Sequence, residues 1–166
     1  MGMWRSYVIW WHEFVNKLVI SNIVKISGPN RSAKITDHFT CISINVIFCV
    51  SCTLCKIYIG ETGRKLADRF REHLRDTEEN DTDASKPVAS RFNLHIHSHH
   101  NITLCGLSLH HGNTESRKSL EQKFIFQLVT LYPDGINEWT PLIPLIYSQI
   151  HVTKSLPMAK FLHTPT

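Results

Sequence analysis

The sequence lacks a long uninterrupted apolar run. Residues 4–24 are rich in apolar side chains, but they are interrupted by His12, Glu13, Asn16 and Lys17. A membrane-spanning helix needs about 20 predominantly apolar residues in succession. We therefore expect neither a membrane span nor a membrane partner.

The sequence also lacks an even set of cysteines. The five that it has are Cys41, Cys49, Cys52, Cys55 and Cys105. An odd number crowded mainly into one segment is not the pattern of a secreted domain held together by disulfides. We expect reduced cysteines and an intracellular protein that is not secreted.

Charged residues are few, and the excess is positive. They make up 19% of the 166 residues against 42% hydrophobic ones, which indicates a globular chain rather than a disordered one. The net charge of +4 permits a polyanionic partner. The length suits one domain, which we expect at residues 37–138, between an N-terminal extension of unknown role (1–36) and an irregular tail (139–166).

Three segments have the pattern of β-strands. The apolar run from Ile42 to Val50 predicts a buried strand, and Lys56 to Gly60 predicts a second strand. Because the link between them is so short, these two strands must be antiparallel. A third strand is predicted from Ile102 to Leu109.

Three other segments have helical patterns. Between Arg64 and Thr77 the apolar side chains Leu66, Phe70 and Leu74 fall four apart and line one face. At about 100° per residue, Arg69 and His73 would lie at the edge of that face, half shielded from water. Two further helices are predicted, one at 86–94 and one from Asn113 or Thr114 to about Leu131 with a stripe formed by Leu120, Phe124, Leu128 and Leu131.

Four side chains in these segments have the chemistry of phosphodiester hydrolysis: Tyr58, Arg69, His73 and Glu121. That reaction needs a positioned water, cationic help for the phosphate oxygens and a stabilised leaving oxygen. One carboxylate with phosphate oxygens and waters suits Mg²⁺. The alternative is that Arg69 and His73 are solvated residues of a basic helix and Glu121 is an ordinary helix carboxylate.

Basic side chains of the first helix form a second candidate site. Arg64, Lys65, Arg71 and Arg75, together with Arg69, could bind a DNA backbone. The alternative is a solvated helix face.

A third candidate site is a cysteine pair followed by histidines. Cys52 and Cys55 have the Cys-x2-Cys spacing of tetrahedral zinc sites, and His95 and His97 could complete the ligand set. The alternative is that the thiols are reduced and buried and the histidines are solvated.

Six blocks of residues between Asp37 and Asn137 resemble the GIY-YIG nuclease superfamily. The similarity is closest to the version found in Penelope-like retroelement reverse transcriptases and their genomic copies. The blocks occur in the family's order, and they are residues 45–49, 58–64, 68–74, 105–109, 120–126 and 135–137.

The resemblance implies an α+β fold, a small three-stranded antiparallel sheet flanked by helices. It also implies a DNA endonuclease that uses one divalent metal, Mg²⁺ or Mn²⁺, and no small-molecule substrate. Glu121 would hold the metal, Arg69 would neutralise the scissile phosphate, and Tyr58 would contact the attacking water. His73 would orient the tyrosine or take a proton, and Asn137 falls on the family's late asparagine. A DNA substrate would place the protein in the nucleus.

The sequence departs from the family at three points. Phe48 stands where the family's first motif ends in tyrosine, so one phenolic oxygen is missing. The link from Cys55 to Tyr58 is one residue shorter than is usual in the family, which could turn Tyr58 away from the site. Arg91 occupies the position of one zinc-ligating histidine of the retroelement relatives.

These departures leave alternatives to an active nuclease. One is a catalytically inactive remnant that binds nucleic acid through its basic helix. Another is a chain that never folds stably. The sequence makes no prediction of target-site preference or oligomeric state.

Overall fold

A computed structural model of the chain describes residues 18, 23–25, 32–52, 57–79, 87–92 and 102–138. These residues form five strands and three helices. In chain order the elements are β1 (Ile23–Lys25), β2 (Ser32–Lys34), β3 (Val46–Cys52), β4 (Ile57–Thr62), α1 (Leu66–Glu78), α2 (Pro87–Phe92), β5 (Ile102–Leu109) and α3 (Thr114–Leu128).

Three of the strands form one antiparallel sheet in the order β4-β3-β5, and β1 and β2 pair separately as an antiparallel ribbon. The predicted α+β fold, a three-stranded antiparallel sheet with helices, is therefore confirmed. The third strand has the predicted bounds. The central strand β3 is covered on both faces, since Ile47 and Phe48 are fully buried although their side chains point in opposite directions.

The predicted start of the first strand is wrong. β3 begins at Val46, while Ile42 and Ile44 are 65% and 53% exposed. The preceding residues form a turn whose carbonyl oxygens accept hydrogen bonds from helix α1. Ser43 accepts from the Leu66 N–H at 2.8 Å. This segment is therefore used to satisfy the first free N–H groups of a helix rather than to extend the sheet.

The register between β3 and β4 places Tyr58 on the same face as Phe48. Val50 lies opposite Tyr58, and Phe48 lies opposite Gly60, with no shift along the pair. Residues directly opposite one another on neighbouring strands share a face of the sheet, and so do residues two apart on one strand. The one irregularity in the described register is between β3 and β5, at Ile47 and Phe48.

Helix α1 carries the predicted apolar face, since Leu66, Phe70 and Leu74 are all buried. Arg69 is half-buried as expected, with 30% of its side chain exposed. His73 was predicted to be half shielded from water, and this is wrong, because only 6% of the residue is exposed. The imidazole is buried because the Phe48 and Tyr58 rings of the sheet pack against it.

Helix α3 begins as predicted and ends three residues early. The Asn113 side chain caps its start by accepting from the Ser116 N–H at 2.9 Å. Val129 has a left-handed backbone, with φ of 54°, and terminates the helix. The most buried face is also rotated from the predicted stripe. Its buried residues are Arg117, Gln122, Ile125 and Leu128.

Part of the segment before residue 37 belongs to the core. Ala33 and Ile35 are buried, and Gln127 of α3 donates to the Ser32 carbonyl oxygen at 3.3 Å. The tail 139–166 lies outside the described residues. Across the ranges that the structure describes, none of the helices has the length and apolar character needed to cross a membrane.

Candidate active site

The site is built along β4, an edge strand of the sheet. An edge strand leaves alternate backbone groups without a neighbouring strand, and here the turn after α3 supplies their partners. The Ile136 N–H donates to the Ile57 carbonyl oxygen at 3.1 Å. The strand that carries Tyr58 is therefore held on both of its sides.

Asn137 supplies most of this support. Its Oδ1 accepts from the Ile59 N–H at 2.9 Å and from the Thr130 hydroxyl at 2.8 Å, and its Nδ2 donates to the Ile59 carbonyl oxygen at 2.7 Å. Only 5% of Asn137 is exposed. The predicted site residue Asn137 thus uses its side-chain amide to bind the backbone of Ile59, which follows Tyr58 in β4.

Three aromatic rings meet where β4 faces α1. The His73 ring packs edge-on against Tyr58, with 5.6 Å between ring centroids, and against Phe48, with 5.9 Å. A Cβ on Gly60 would lie 2.8 Å from atoms of both the Phe48 and the Tyr58 ring. Because Gly60 has no side chain, the two rings can occupy the space beside it. The Tyr58 ring packs against His73 of α1, so the short link before β4 does not turn it away from that helix.

His73 is a neutral imidazole in this setting. Burial, followed by the positive charge of Arg69, lowers its pKa to about 3. Its Nε2 is buried and has no hydrogen-bond partner within the described part of the chain. A buried nitrogen without a hydrogen-bond partner lowers the stability of the fold, and most buried polar atoms are therefore paired.

Arg69 lies in a small ionic cluster on α1. Glu72 accepts from Arg69 at 3.0 Å and binds Arg64 through two hydrogen bonds, at 2.6 and 2.7 Å. These arginines hold the pKa of Glu72 at about 2. Glu72 is a residue that sequence reasoning missed. Its position three residues after Arg69, within one turn of the same helix, was the available signal.

The other predicted DNA-binding residues differ in their surroundings. Arg71 pairs with Asp68 at 3.2 Å, whereas Lys65 and Arg75 are exposed. Two of the four predicted DNA-binding residues, Arg64 and Arg71, are thus paired with carboxylates of α1.

Glu121 approaches the same region from α3. Burial, followed by the negative charge of Glu61, raises its pKa to about 7, and the charge of Arg69 opposes that rise. Burial also raises the pKa of Tyr58, followed by the charge of Glu121, and Arg69 opposes it. Each of the three groups is thus close enough to shift the ionisation of another. The predicted phenol, cation and carboxylate therefore lie within electrostatic range of one another.

A buried arginine next to this group was also missed by sequence reasoning. Arg117 is 7% exposed, its Nε donates to the Glu61 carboxylate, and its Nη1 donates to the Asn45 side-chain oxygen at 3.1 Å. Arg117 precedes Glu121 by four residues and so lies on the same side of α3. That spacing was the signal in the sequence.

The residues fit a weakly ligated divalent cation. A carboxyl whose pKa is raised by burial and by a neighbouring carboxylate is one that a nearby cation would stabilise in its charged form. No group of three or more metal-ligating side chains occurs in the described ranges. Mg²⁺ suits this arrangement, because it keeps several water ligands and needs only one or two carboxylates.

Most of the predicted zinc site lies outside the described residues. Cys55, His95 and His97 fall in the undescribed ranges, and for Cys52 only the backbone at the end of β3 is described. Arg91, at the position of a family zinc ligand, lies half-buried in α2.

Comparison of the chain with models of protein families, with curated proteins and with solved structures found no match.

Proposed function

We propose that the protein is a metal-dependent DNA endonuclease of the GIY-YIG type, derived from a retroelement. The observation that carries this proposal is the electrostatic coupling of Tyr58, Arg69 and Glu121, which come from β4, α1 and α3. A phenol, a fixed cation and a half-buried carboxylate are groups that suit phosphodiester hydrolysis. The resemblance of the sequence to that superfamily supports the same reaction.

Each side chain has a role that follows from its surroundings. The Arg69 guanidinium would bind the scissile phosphate and neutralise its charge, with Glu72 holding it in place. Because the pKa of Tyr58 is raised, its phenol would stay protonated and donate a hydrogen bond to the attacking water or to a phosphate oxygen. The neutral His73 would support the Tyr58 ring by edge-on packing.

Glu121 would hold a Mg²⁺ or Mn²⁺ ion, with Glu61 as the nearest second carboxylate. When bound, such an ion stabilises negative charge on phosphate oxygens and lowers the pKa of coordinated water. The cationic side chains of Arg64, Lys65, Arg71 and Arg75 would bind the DNA backbone.

Nicking of supercoiled DNA tests the proposal. The folded protein with Mg²⁺ or Mn²⁺ should convert supercoiled plasmid to the open circle. Glu121→Ala should abolish this conversion, and Arg69→Ala should lower the rate by about 100-fold or more. Glu115→Ala is a matched control, because Glu115 is an exposed carboxylate on the same helix. Absence of cleavage by the folded protein, or cleavage that survives Glu121→Ala, would refute the proposal.

A second candidate function is nucleic-acid binding without cleavage. It is favoured by Phe48, which is fully buried and has no hydroxyl where the related nucleases carry a tyrosine. This candidate predicts salt-dependent DNA binding with no nicking. In that case a Phe48→Tyr variant that gained cleavage would locate the lost group.

A further inference from the structure

The buried Arg117 touches several of the segments that build the site. Through Glu61 it is bound to the end of β4, the strand that carries Tyr58. Its Nη1 also donates a hydrogen bond at 3.1 Å to the side-chain oxygen of Asn45, the residue that immediately precedes β3. The helix that carries Arg117 also carries Glu121.

The guanidinium also packs against the turn that leads into α1. A Cβ on Gly63 would lie 3.0 Å from Nη2 of Arg117, so the arginine occupies the space that a side chain would need. Gly63 stands between β4 and the first turn of the helix that carries Arg69. Arg117 therefore lies on α3, binds the end of β4 and packs against the turn that leads into α1.

Asn45 is itself held in a defined conformation. Its φ of 54° is left-handed, a region that asparagine tolerates better than most residues. Its carbonyl oxygen accepts from the His110 N–H at 2.8 Å, just after β5. Asn45, which accepts the hydrogen bond from Nη1 of Arg117, is thus held in place by the sheet and not by α3.

We propose that Arg117 is a positioning residue that fixes the rotation and height of helix α3, so that Glu121 faces Tyr58 and Arg69. Residues four apart lie on the same side of a helix, one turn from each other. A bond that holds Arg117 to β4 therefore also sets where Glu121 lies. The catalytic consequence of this role rests on the proposed function, whereas the geometric consequence does not.

Lysine should not replace this arginine fully. Arg117 uses Nε and Nη1 for two partners in different directions and lays a flat group against Gly63. A lysine ammonium is a compact charge without that planar fork. Removing the cation altogether would leave the Glu61 carboxylate, which is 20% exposed, without its partner beside Glu121.

The test compares Arg117→Met, Arg117→Lys and the control Lys123→Met, which removes one exposed positive charge from the same helix. The Glu121 carboxylate accepts a hydrogen bond from the Glu61 backbone N–H. The first readout is the NMR contact between the Glu121 side chain and that amide proton. It should be lost in Arg117→Met, weakened in Arg117→Lys and intact in the control. If Arg117→Met does not fold, Asn45→Gly replaces it in the test. Glycine keeps the left-handed backbone at this position but removes one hydrogen-bond partner of Arg117, so the same contact should weaken.

The second readout is Mn²⁺ affinity and nicking kinetics. Arg117→Met should weaken Mn²⁺ binding by about 10-fold and lower kcat by about 100-fold at saturating metal, with KM for DNA nearly unchanged, because catalysis is sensitive to shifts of about 1 Å.

The outcomes separate the two proposals. If folded Arg117→Met, or its substitute Asn45→Gly, keeps the wild-type contact between Glu121 and Glu61, the positioning role is wrong. If the contact is lost while the wild-type protein never cleaves DNA, the positioning role stands and the nuclease proposal fails.

Discussion

Two groups of buried polar side chains lie along β4, and they differ in how well their polar atoms are satisfied. Asn137 forms three hydrogen bonds, all to groups that are themselves buried. In the proposed active site, His73 has a buried nitrogen without a partner in the described chain, and Glu121 has a pKa raised to about 7. The Asn137 region holds β4 in place. The region of His73 and Glu121 instead surrounds ionisable groups with an environment that disfavours their charged forms.

We interpret the satisfied amide as structural and the groups that oppose their charge as part of the proposed active site. A satisfied buried amide lowers the free energy of the fold, whereas an unpaired imidazole and a desolvated carboxyl raise it. Perturbed ionisation of this kind clusters at functional sites. The comparison thus predicts opposite effects on stability when the two regions are mutated.

The largest effect is expected from Asn137→Leu. This change leaves the Ile59 N–H and carbonyl group buried without partners, and we expect it to lower the free energy of unfolding by about 3 kcal/mol. Urea denaturation at pH 7 measures the change. Asp134→Ala, an exposed position in the same turn, should have little effect. A loss of less than about 1 kcal/mol in Asn137→Leu would remove the distinction between the regions.

The second effect is a pH dependence that is due to His73. Its pKa is about 3 in the folded state, below the usual value of 6.5, so protonation of the unfolded chain costs stability as the pH falls from 6.5 towards 3. Between pH 8 and pH 5 the wild type should lose about 2 kcal/mol that His73→Leu does not lose. Equal losses in the two proteins would show that His73 ionises normally.

The third effect has the opposite sign with pH and concerns Glu121. Its folded pKa of about 7 lies above the usual 4.5, so stability is present at low pH and is lost as the pH rises from 4.5 through 7. Because Glu121 keeps part of its surface in water, we expect wild type to lose about 1 kcal/mol more than Glu121→Gln between pH 5 and pH 8. Glu115→Gln should follow the wild type. Added Mg²⁺ should restore the lost stability in these two proteins and not in Glu121→Gln.

The smallest effect is expected at the surface ion pairs of Glu72. Its pKa of about 2 means that its contribution is present above pH 4.5 and is lost as the pH falls towards 2. Since the side chain is 26% exposed and Arg64 is 60% exposed, Glu72→Gln should cost only about 0.5 kcal/mol at pH 7. Unfolding in 1 M salt should reduce even this difference. A cost that salt does not change would indicate a role in packing.

Local patterns predicted the strands and the basic helix because their periods directly reflect burial. The segment β5 and the apolar face of α1 are examples. The exposed Ile42 and Ile44 were misassigned, because hydrophobicity alone does not reveal that the neighbouring carbonyls are needed by a helix. The stripe predicted for α3 packs against the core, but the most buried face also includes Arg117. The pattern did not indicate this, because the burial of Arg117 depends on a partner 56 residues away.

Tyr58, Arg69 and Glu121 were named from their chemistry and from the resemblance, and they lie within electrostatic range of one another. Of the residues that support them, Glu72 is spaced one helical turn from Arg69, so local spacing indicates it. Glu61 could not be predicted in this way, because its partner Arg117 is distant in sequence.

The most direct test is a crystal structure of the protein soaked with Mn²⁺, read by anomalous scattering. The central claim is that Tyr58, Arg69 and Glu121 line one site that holds a divalent cation. We predict an anomalous peak bonded to a Glu121 carboxylate oxygen, with the Tyr58 hydroxyl and the Arg69 guanidinium facing the same solvent-filled space. A Glu121 side chain on the other side of the sheet from Arg69, or a peak bound elsewhere with Glu121 free of metal, would contradict it.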